Sequence, residues 1–334
     1  MTDDTTSTTV VIVTRNRADD IAAISLPSLA AQTFQSFDVL VWDASADDAT
    51  RLAVTGFAAT HPVMSVRYVH AMRPGTTCQR NDALDSCTSD LVLYVDDDLE
   101  LFPTAIAELL RVFETDTSRR IAGCQCTLVG VERERRLLRR FRDVIWTLWY
   151  SFWDMWHIGN RQVIRLSGFD TVLRHLPRAA AERAEPGVPP HRDLGWLQGC
   201  AMAFRRPVLS KYHLRFDERL MRFGSYSKCE DVLFSGILHM RHGYDLACAP
   251  SALAIHHQGS GPHGATADQP AMIVYNHWLV WHELMSSRRW AHLALGWART
   301  GLWLRYVIPA LLAGRTRDLA SFREGLRATR EPSG

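Results

Sequence analysis

"LVLYVDDDLEL", residues 91–101, runs five apolar or aromatic residues straight into Asp96, Asp97 and Asp98. The apolar run reads as a buried strand. Three adjacent carboxylates repel one another unless they are solvated, protonated or bound to a cation. The triplet is therefore either a solvated acidic turn or a metal site at a strand end. An oxygen-only cluster suits a hard cation such as Mg²⁺ or Mn²⁺, which keeps waters and shares its coordination with substrate phosphates.

Toward the N-terminus the pattern repeats. "TVVIV" (9–13), "DVLVW" (38–42) and "SVRYV" (65–69) read as further strands, with helical stretches at 17–32, about 47–59 and about 77–87. Strands alternating with helices imply an α/β fold, a mostly parallel, Rossmann-like sheet covered on both faces. Such sheets bind ligands beyond the carboxyl ends of their strands. "TRNR" (14–17), Asp43 and the aspartate triplet all fall at those ends.

Toward the C-terminus "RIAGCQCTL" (120–128) reads as a strand. Residues 132–156 read as a long helix with six arginines in its first half and Trp146, Trp149, Trp153 and Trp156 on one stripe; 177–193 read as a loop. A second ordered block follows: a strand and turn in 194–209, a helix over 229–246 opened by Glu230 and Asp231 and closed by Gly243, and a short strand ending in "IHHQGSG" (255–261). Residues 272–330 read as helical, rich in Trp and Arg.

Composition narrows the class. The 334 residues are 47% hydrophobic and 22% charged, an ordinary globular balance. A formal charge of +2 offers no global field for nucleic acid. The seven cysteines have irregular spacings and no C-x-x-C pair, so reduced thiols and a cytoplasmic location are expected. The acidic, polar N-terminus does not read as a signal peptide. The longest apolar approach, 290–312, is interrupted by Arg299 and Arg305, so no spanning helix is expected.

Taken in order, "VVIVTRNR", "SLAAQTFQSFDVLVWDAS", "GTTCQRNDAL", "YVDDDLEL", "GCAMAFRR", "FDERL", "EDVLFSGILHMRHGYDLACAP" and "IHHQGS" resemble the motifs of the family 2 glycosyltransferases, with their GT-A fold. The likeness spans roughly residues 9–260, and "VYNHWLVWHEL" further resembles a helix of the rhamnosyltransferase-like members. The resemblance implies a glycosyltransferase of the hexosyl type that inverts configuration. It would use a UDP- or dTDP-sugar donor and a Mn²⁺ or Mg²⁺ cofactor. Thr14, Arg15, Asn16, Asp43, Arg80, Asn81, Asp96 and Asp97 would serve the nucleotide and diphosphate. Asp98, Asp96 and His256 would hold the metal, with His257 as the rival of His256. Asp231 would be the general base, with Glu230 beside it. Trp196, Gly199 and His257 would face the acceptor or sugar. "DAS" (43–45) lacks the second acidic residue usual at the base-reading site, so the base stays open. Missing the Gln-x-x-Arg-Trp signature, the chain is expected to transfer one sugar rather than polymerise.

The implied domains are a GT-A catalytic unit over 1–265 and a helical C-terminal extension over 266–334. Within the first, 9–130 would bind the sugar nucleotide, 131–193 would be a helical insertion and 194–265 would supply acceptor and base elements. The acceptor could be a glycan, a lipid-linked molecule or a small molecule. Amphipathicity leaves the 132–156 helix and the tail with Trp290, Trp297 and Trp303 open to a peripheral membrane contact, to core packing or to a homodimer. Two other functions compete: a sugar-nucleotide nucleotidyltransferase, which should carry a Gly-rich loop that "VTRNRADD" lacks, and a degenerate fold kept as a binding scaffold.

Overall fold

The structure, a computed structural model, describes residues 6–130, 185–192, 194–257, 269–287 and 291–331. The helix read over 132–156, most of the 177–193 loop, and Arg288, Arg289 and Trp290 lie outside the described residues. Among the described residues eight strands form one sheet: β1 Thr8–Thr14, β2 Asp38–Asp43, β3 Ser65–His70, β4 Leu91–Val95, β5 Leu99–Leu101, β6 Ile121–Val129, β7 Ala201–Arg205 and β8 Asp245–His256. Their order is β3-β2-β1-β4-β7-β6-β8-β5. Four neighbouring pairs run parallel; β7 is antiparallel to both its neighbours, and β5 to β8.

The helices are α1 (Ala18–Asp20, a π-helical Ile21–Ser25 and Leu26–Ala30 in succession), α2 Ala49–Thr60, α3 Thr76–Asp85, α4 Ala105–Thr115, α5 Arg206–Lys211, α6 Glu230–Met240, α7 Gln269–Met285, α8 Ala291–Leu312 and α9 Thr316–Ala328. Strands buried on both faces are apolar nearly throughout, as in β4, where all five residues are buried. Period-two alternation sorts them into two cores. Val10, Ile12, Val39, Val41, Leu91 and Leu93 face α1 and α4 through Ile21, Leu26, Leu109 and Phe113. Val11, Leu40, Val92, Tyr94 and Phe204 face α3 and α6 through Ala83, Leu84, Phe234 and Leu238. A third cluster joins Val232 and Leu233 of α6 to Leu279 and Val280 of α7 and Leu295 of α8.

Register positions the site. Thr14 pairs with Asp43 and Asp43 with His70, so β1, β2 and β3 end level. Val95 pairs with Ala201, which sets Asp96 at the start of β7; its N–H donates to the Cys200 carbonyl at 3.0 Å. Leu99 pairs with His256, which returns the end of β8 to the aspartate triplet.

Some elements differ from the expectation. β5 and α4 are additions to it. β8 is 12 residues long rather than short, because it tolerates an irregularity around Pro250: Cys126 pairs with Ala249 but Thr127 with Leu253. α6 stops at Met240, and Gly243 in the left-handed region (φ 69°) turns the chain into β8.

Candidate active site

The triplet sits where β4 turns into β5. Arg17, from the turn after β1, bonds Asp97 Oδ1 at 3.2 Å, Asp98 Oδ2 at 2.9 Å and Asp20 Oδ2 at 2.8 Å. Thr14 Oγ1 donates to Asp97 Oδ2 at 2.7 Å. Arg80 reaches Asp96 Oδ1 at 3.3 Å. His256 Nε2 lies 2.9 Å from Asp98 Oδ1 and 4.0 Å from Asp96 Oδ2. Two guanidinium groups and an imidazole thus offset the repulsion that the sequence poses. Burial pushes the Asp97 carboxyl up to about 7. Burial also opposes ionisation of Asp98, but His256 and Arg17 outweigh it and hold this carboxyl well below the usual range.

One ligand atom each from Asp96, Asp98 and His256 can be chosen so that all lie within 4.8 Å of one another. Two carboxylates and one imidazole are a donor set that fits a divalent cation of the Mg²⁺ or Mn²⁺ type. Asp96 and His256 each keep 32% of their side-chain surface, so the cluster opens outward. His257 points elsewhere, its Nε2 lying 2.6 Å from Glu100 Oε2. Strand alternation separates the two histidines: only the first shares a face with the triplet.

The loops after β1 and β2 are tied together. Asn16 adopts φ 56°, donates its N–H to Ser45 Oγ at 2.7 Å, and accepts from the Ala46 N–H at 3.3 Å. Arg15 donates to Ser225 Oγ at 3.1 Å. Asp43 is at the strand end as expected, yet none of its surface is exposed. Its Oδ1 accepts from the Ser45 N–H at 2.9 Å and its Oδ2 from the Tyr68 hydroxyl at 3.0 Å. Asp43 is thus a buried carboxylate that ties Ser45 to Tyr68. Gln79 Nε2 donates to the Thr14 and Trp42 carbonyls at 3.0 and 3.1 Å, cross-linking the two strand ends.

Arg80 ties this half of the site to the other. Its side chain is buried, with its guanidinium carbon 5.8 Å from the Tyr94 ring centroid and 5.5 Å from that of Phe216. It donates to Glu230 Oε1 at 3.0 Å and to the Gly199 carbonyl at 3.1 Å as well as to Asp96. Asn81 donates to the Phe216 carbonyl at 2.9 Å and accepts from its N–H at 2.8 Å, so this amide holds the segment before the Glu218–Met221 turn.

Glu230 and Asp231 open α6 after Cys229, whose left-handed φ of 70° sets the entry angle. Asp231 Oδ2 accepts from the Gly199 N–H at 2.8 Å, and Oδ1 from the Val232 N–H at 2.8 Å. A Cβ on Gly199 would come within 3.2 Å of the Asp231 side chain, so any larger residue would have to push that carboxylate aside by a few tenths of an ångström. Burial raises both carboxyls, Glu230 to about 8, with the Asp231 charge adding to the effect. Trp196 is half-buried against the cluster that includes Val232, Leu233 and Tyr275.

The structure gathers Thr14, Asp96, Asp97, Asp98, His256, Arg80, Glu230, Asp231 and Gly199 into one connected network. The His257 ring and the Asn81 amide are engaged elsewhere, although the His257 N–H donates to the Asp98 carbonyl at 3.0 Å. Sequence reasoning misses Arg17 and Gln79. Arg17 carries one signal, being basic and in a turn just beyond a strand, followed by Asp19 and Asp20.

Residues 9–172 match the family described as Glycosyl transferase family 2. The chain carries a family 2 glycosyltransferase domain. No curated protein sequence matches this glycosyltransferase significantly. Among solved structures it is similar to the mannosyltransferase PcManGT from Pyrobaculum calidifontis in complex with GDP-Man and Mn²⁺, at 17% identity and a TM-score of 0.54, covering 98% of this chain and 88% of that one. It is also similar to S. aureus TarS 1–349 in complex with UDP-GlcNAc, at 14% identity and a TM-score of 0.58, covering 97% and 81%. A third likeness is to GalNAc-T7 with UDP, GalNAc and Mn²⁺, at 14% and 0.57, covering 84% of this chain and 48% of that one. At such identities the likeness is one of fold. Among the described residues no helix is long and apolar enough to cross a membrane.

Proposed function

We propose that this glycosyltransferase moves one hexosyl group from a nucleoside-diphosphate sugar to an acceptor hydroxyl, with inversion and with Asp231 as general base. One observation carries the reading: Asp96 is linked through Arg80 to Glu230, the neighbour of Asp231, so the cation cluster and the acid pair share one buried guanidinium. Asp96, Asp98 and His256 would hold Mn²⁺ or Mg²⁺. A divalent cation there would neutralise the diphosphate and make it a better leaving group.

The remaining chemistry belongs to the protein. Arg17 and Thr14 hold the triplet's turn, so that Asp98 presents Oδ1 toward His256. The Gly199 and Val232 N–H groups fix the Asp231 carboxylate. Burial has raised its proton affinity, which suits it to take the acceptor's proton as the hydroxyl attacks. Arg80 donates to Glu230 beside it and holds that side chain in place. A single displacement inverts the anomeric centre. The catalytic unit would reach to about residue 265, with α7–α9 as the extension. A UDP- or dTDP-sugar is the proposed donor, and a lipid-linked or glycan acceptor fits a site open on the Asp96 and His256 side.

Calorimetric titration of UDP, dTDP and GDP, with Mn²⁺ and again with EDTA, tests the reading. Metal-dependent binding of one nucleotide, lost in Asp98→Ala, is the expected result. Binding that ignores EDTA would remove the metal from the mechanism, and no binding at all would favour the scaffold.

A further inference from the structure

Helix α8 carries an apolar stripe left open among the described residues. Its inner face is buried through Leu295, Leu302 and Ala310. Its outer side leaves Leu293 59% exposed, Trp303 44%, Leu311 60% and Leu312 85%. Among the described residues, eight large hydrophobics are this exposed, and four of them lie on this one helix. Steps of seven, three and eight residues put exposed Leu293, Thr300, Trp303 and Leu311 along one side, with half-buried Val307 packed inward between the last two, over about 27 Å at 1.5 Å per residue. Exposed apolar side chains grouped on one helix in this way mark an interaction site.

Charge identifies the partner. Residues 291–331 carry seven arginines and three acids, a net charge of +4 against +2 for the whole chain, so the remainder is at −2. Helix α8 itself has no acidic residue. Exposed Leu311 and Leu312 end the helix, an exposed turn with Gly314 at φ 64° follows, and exposed Arg315 and Arg317 come directly after it. Arg315 pairs with Asp318 at 3.2 Å, yet keeps 54% of its side-chain surface. A second copy docked here by two-fold symmetry would bring two such basic hairpins together. An anionic bilayer meets both features at once, since leucine and tryptophan enter the headgroup boundary while arginines meet lipid phosphates.

We propose that α8 and its turn into α9 form a docking surface for an anionic lipid bilayer, on which the helix lies in the plane of the membrane. The proposal stands apart from the reading of the active site. It concerns described residues only, and none of them belongs to the catalytic network.

Co-sedimentation of the full-length protein with vesicles tests it. Vesicles of equal phosphatidylcholine and phosphatidylglycerol should carry the protein down, with release as salt is raised; phosphatidylcholine alone should bind far more weakly. Leu311→Glu with Leu312→Glu should weaken partitioning about ten-fold or more. Arg315→Ala with Arg317→Ala should weaken it roughly ten-fold. Melting temperatures and nucleotide titrations should match wild type in both variants, since all four side chains are exposed. Protein left in the supernatant, or variants that sediment like wild type, overturn the proposal. So does a dimer seen by light scattering that Leu311→Glu dissociates without any vesicle binding, which would assign the stripe to a second copy.

Discussion

Arg17 stands where three carboxylates converge, and removing it separates two roles of the triplet. Arg17→Ala leaves Asp97 and Asp98 without their shared guanidinium. Breaking a buried ion pair costs about 3–5 kcal/mol, and Arg17, with 17% of its side chain exposed, belongs at the lower end. A divalent cation restores positive charge beside Asp98. Thermal unfolding should therefore show the variant well below wild type in EDTA, and Mn²⁺ should raise its melting temperature more than that of wild type. Equal shifts in both proteins would mean that no cation shares the triplet.

Glu230 sets a pH dependence. Its carboxyl is raised to about 8 in the folded chain, from about 4.5 when exposed. Between those values the folded state holds a proton that the unfolded state has released. Its contribution to stability is therefore full below about 4.5 and lost as pH rises through about 8. Melting temperatures measured from pH 5 to 8 should decline, and the decline should be smaller in Glu230→Gln. Asp231→Asn should preserve donor binding while turnover drops by about 10²-fold or more. Unchanged turnover would relocate the base.

Elements carry the site by docking closely. Helix α9 approaches α7 at Gly325, where a Cβ would lie 2.7 Å from the Ala271 carbonyl oxygen and 2.8 Å from its Cα. Backbone cannot yield as a side chain can. Gly325→Ala should cost about 1–3 kcal/mol through overpacking, read as a lower denaturant midpoint. Most of these elements are legible from pattern. The β4 boundaries are those expected, because its five apolar residues are followed at once by acids. β8 outruns its sequence signal because Pro250 and the alanines around it carry little strand propensity, while the β6 pairing overrides that deficit.

On the scale of the whole molecule, the C-terminal helices brace the segment that leads into Glu230 and Asp231. Asn276 of α7 donates to the Leu220 and Lys228 carbonyls at 3.0 and 2.9 Å, on either side of the segment that leads into Glu230. Asn276→Ala should remove about 1–3 kcal/mol by leaving buried carbonyls unpaired. Limited proteolysis should then cut sooner within 221–229; an unchanged pattern would mean the segment is held by other contacts. The same helices carry the exposed side chains of α8.

Local chemistry makes much of this protein legible from its amino-acid order alone. Alternating strands and helices imply the sheet, its strand ends locate the pocket, and the triplet announces a site of concentrated charge. Those features depend on neighbours in sequence, through periodicity and the repulsion of adjacent charges. Tertiary structure alone decided which partners resolve that repulsion. Arg17 comes from 79 positions before Asp96, and His256 arrives through the register of β5 on β8. Strand alternation chose His256 over His257. Burial committed Asp43 to Ser45 and Tyr68, and Asn81 to Phe216. Such outcomes depend on long-range packing, where a residue's role follows from what surrounds it in space.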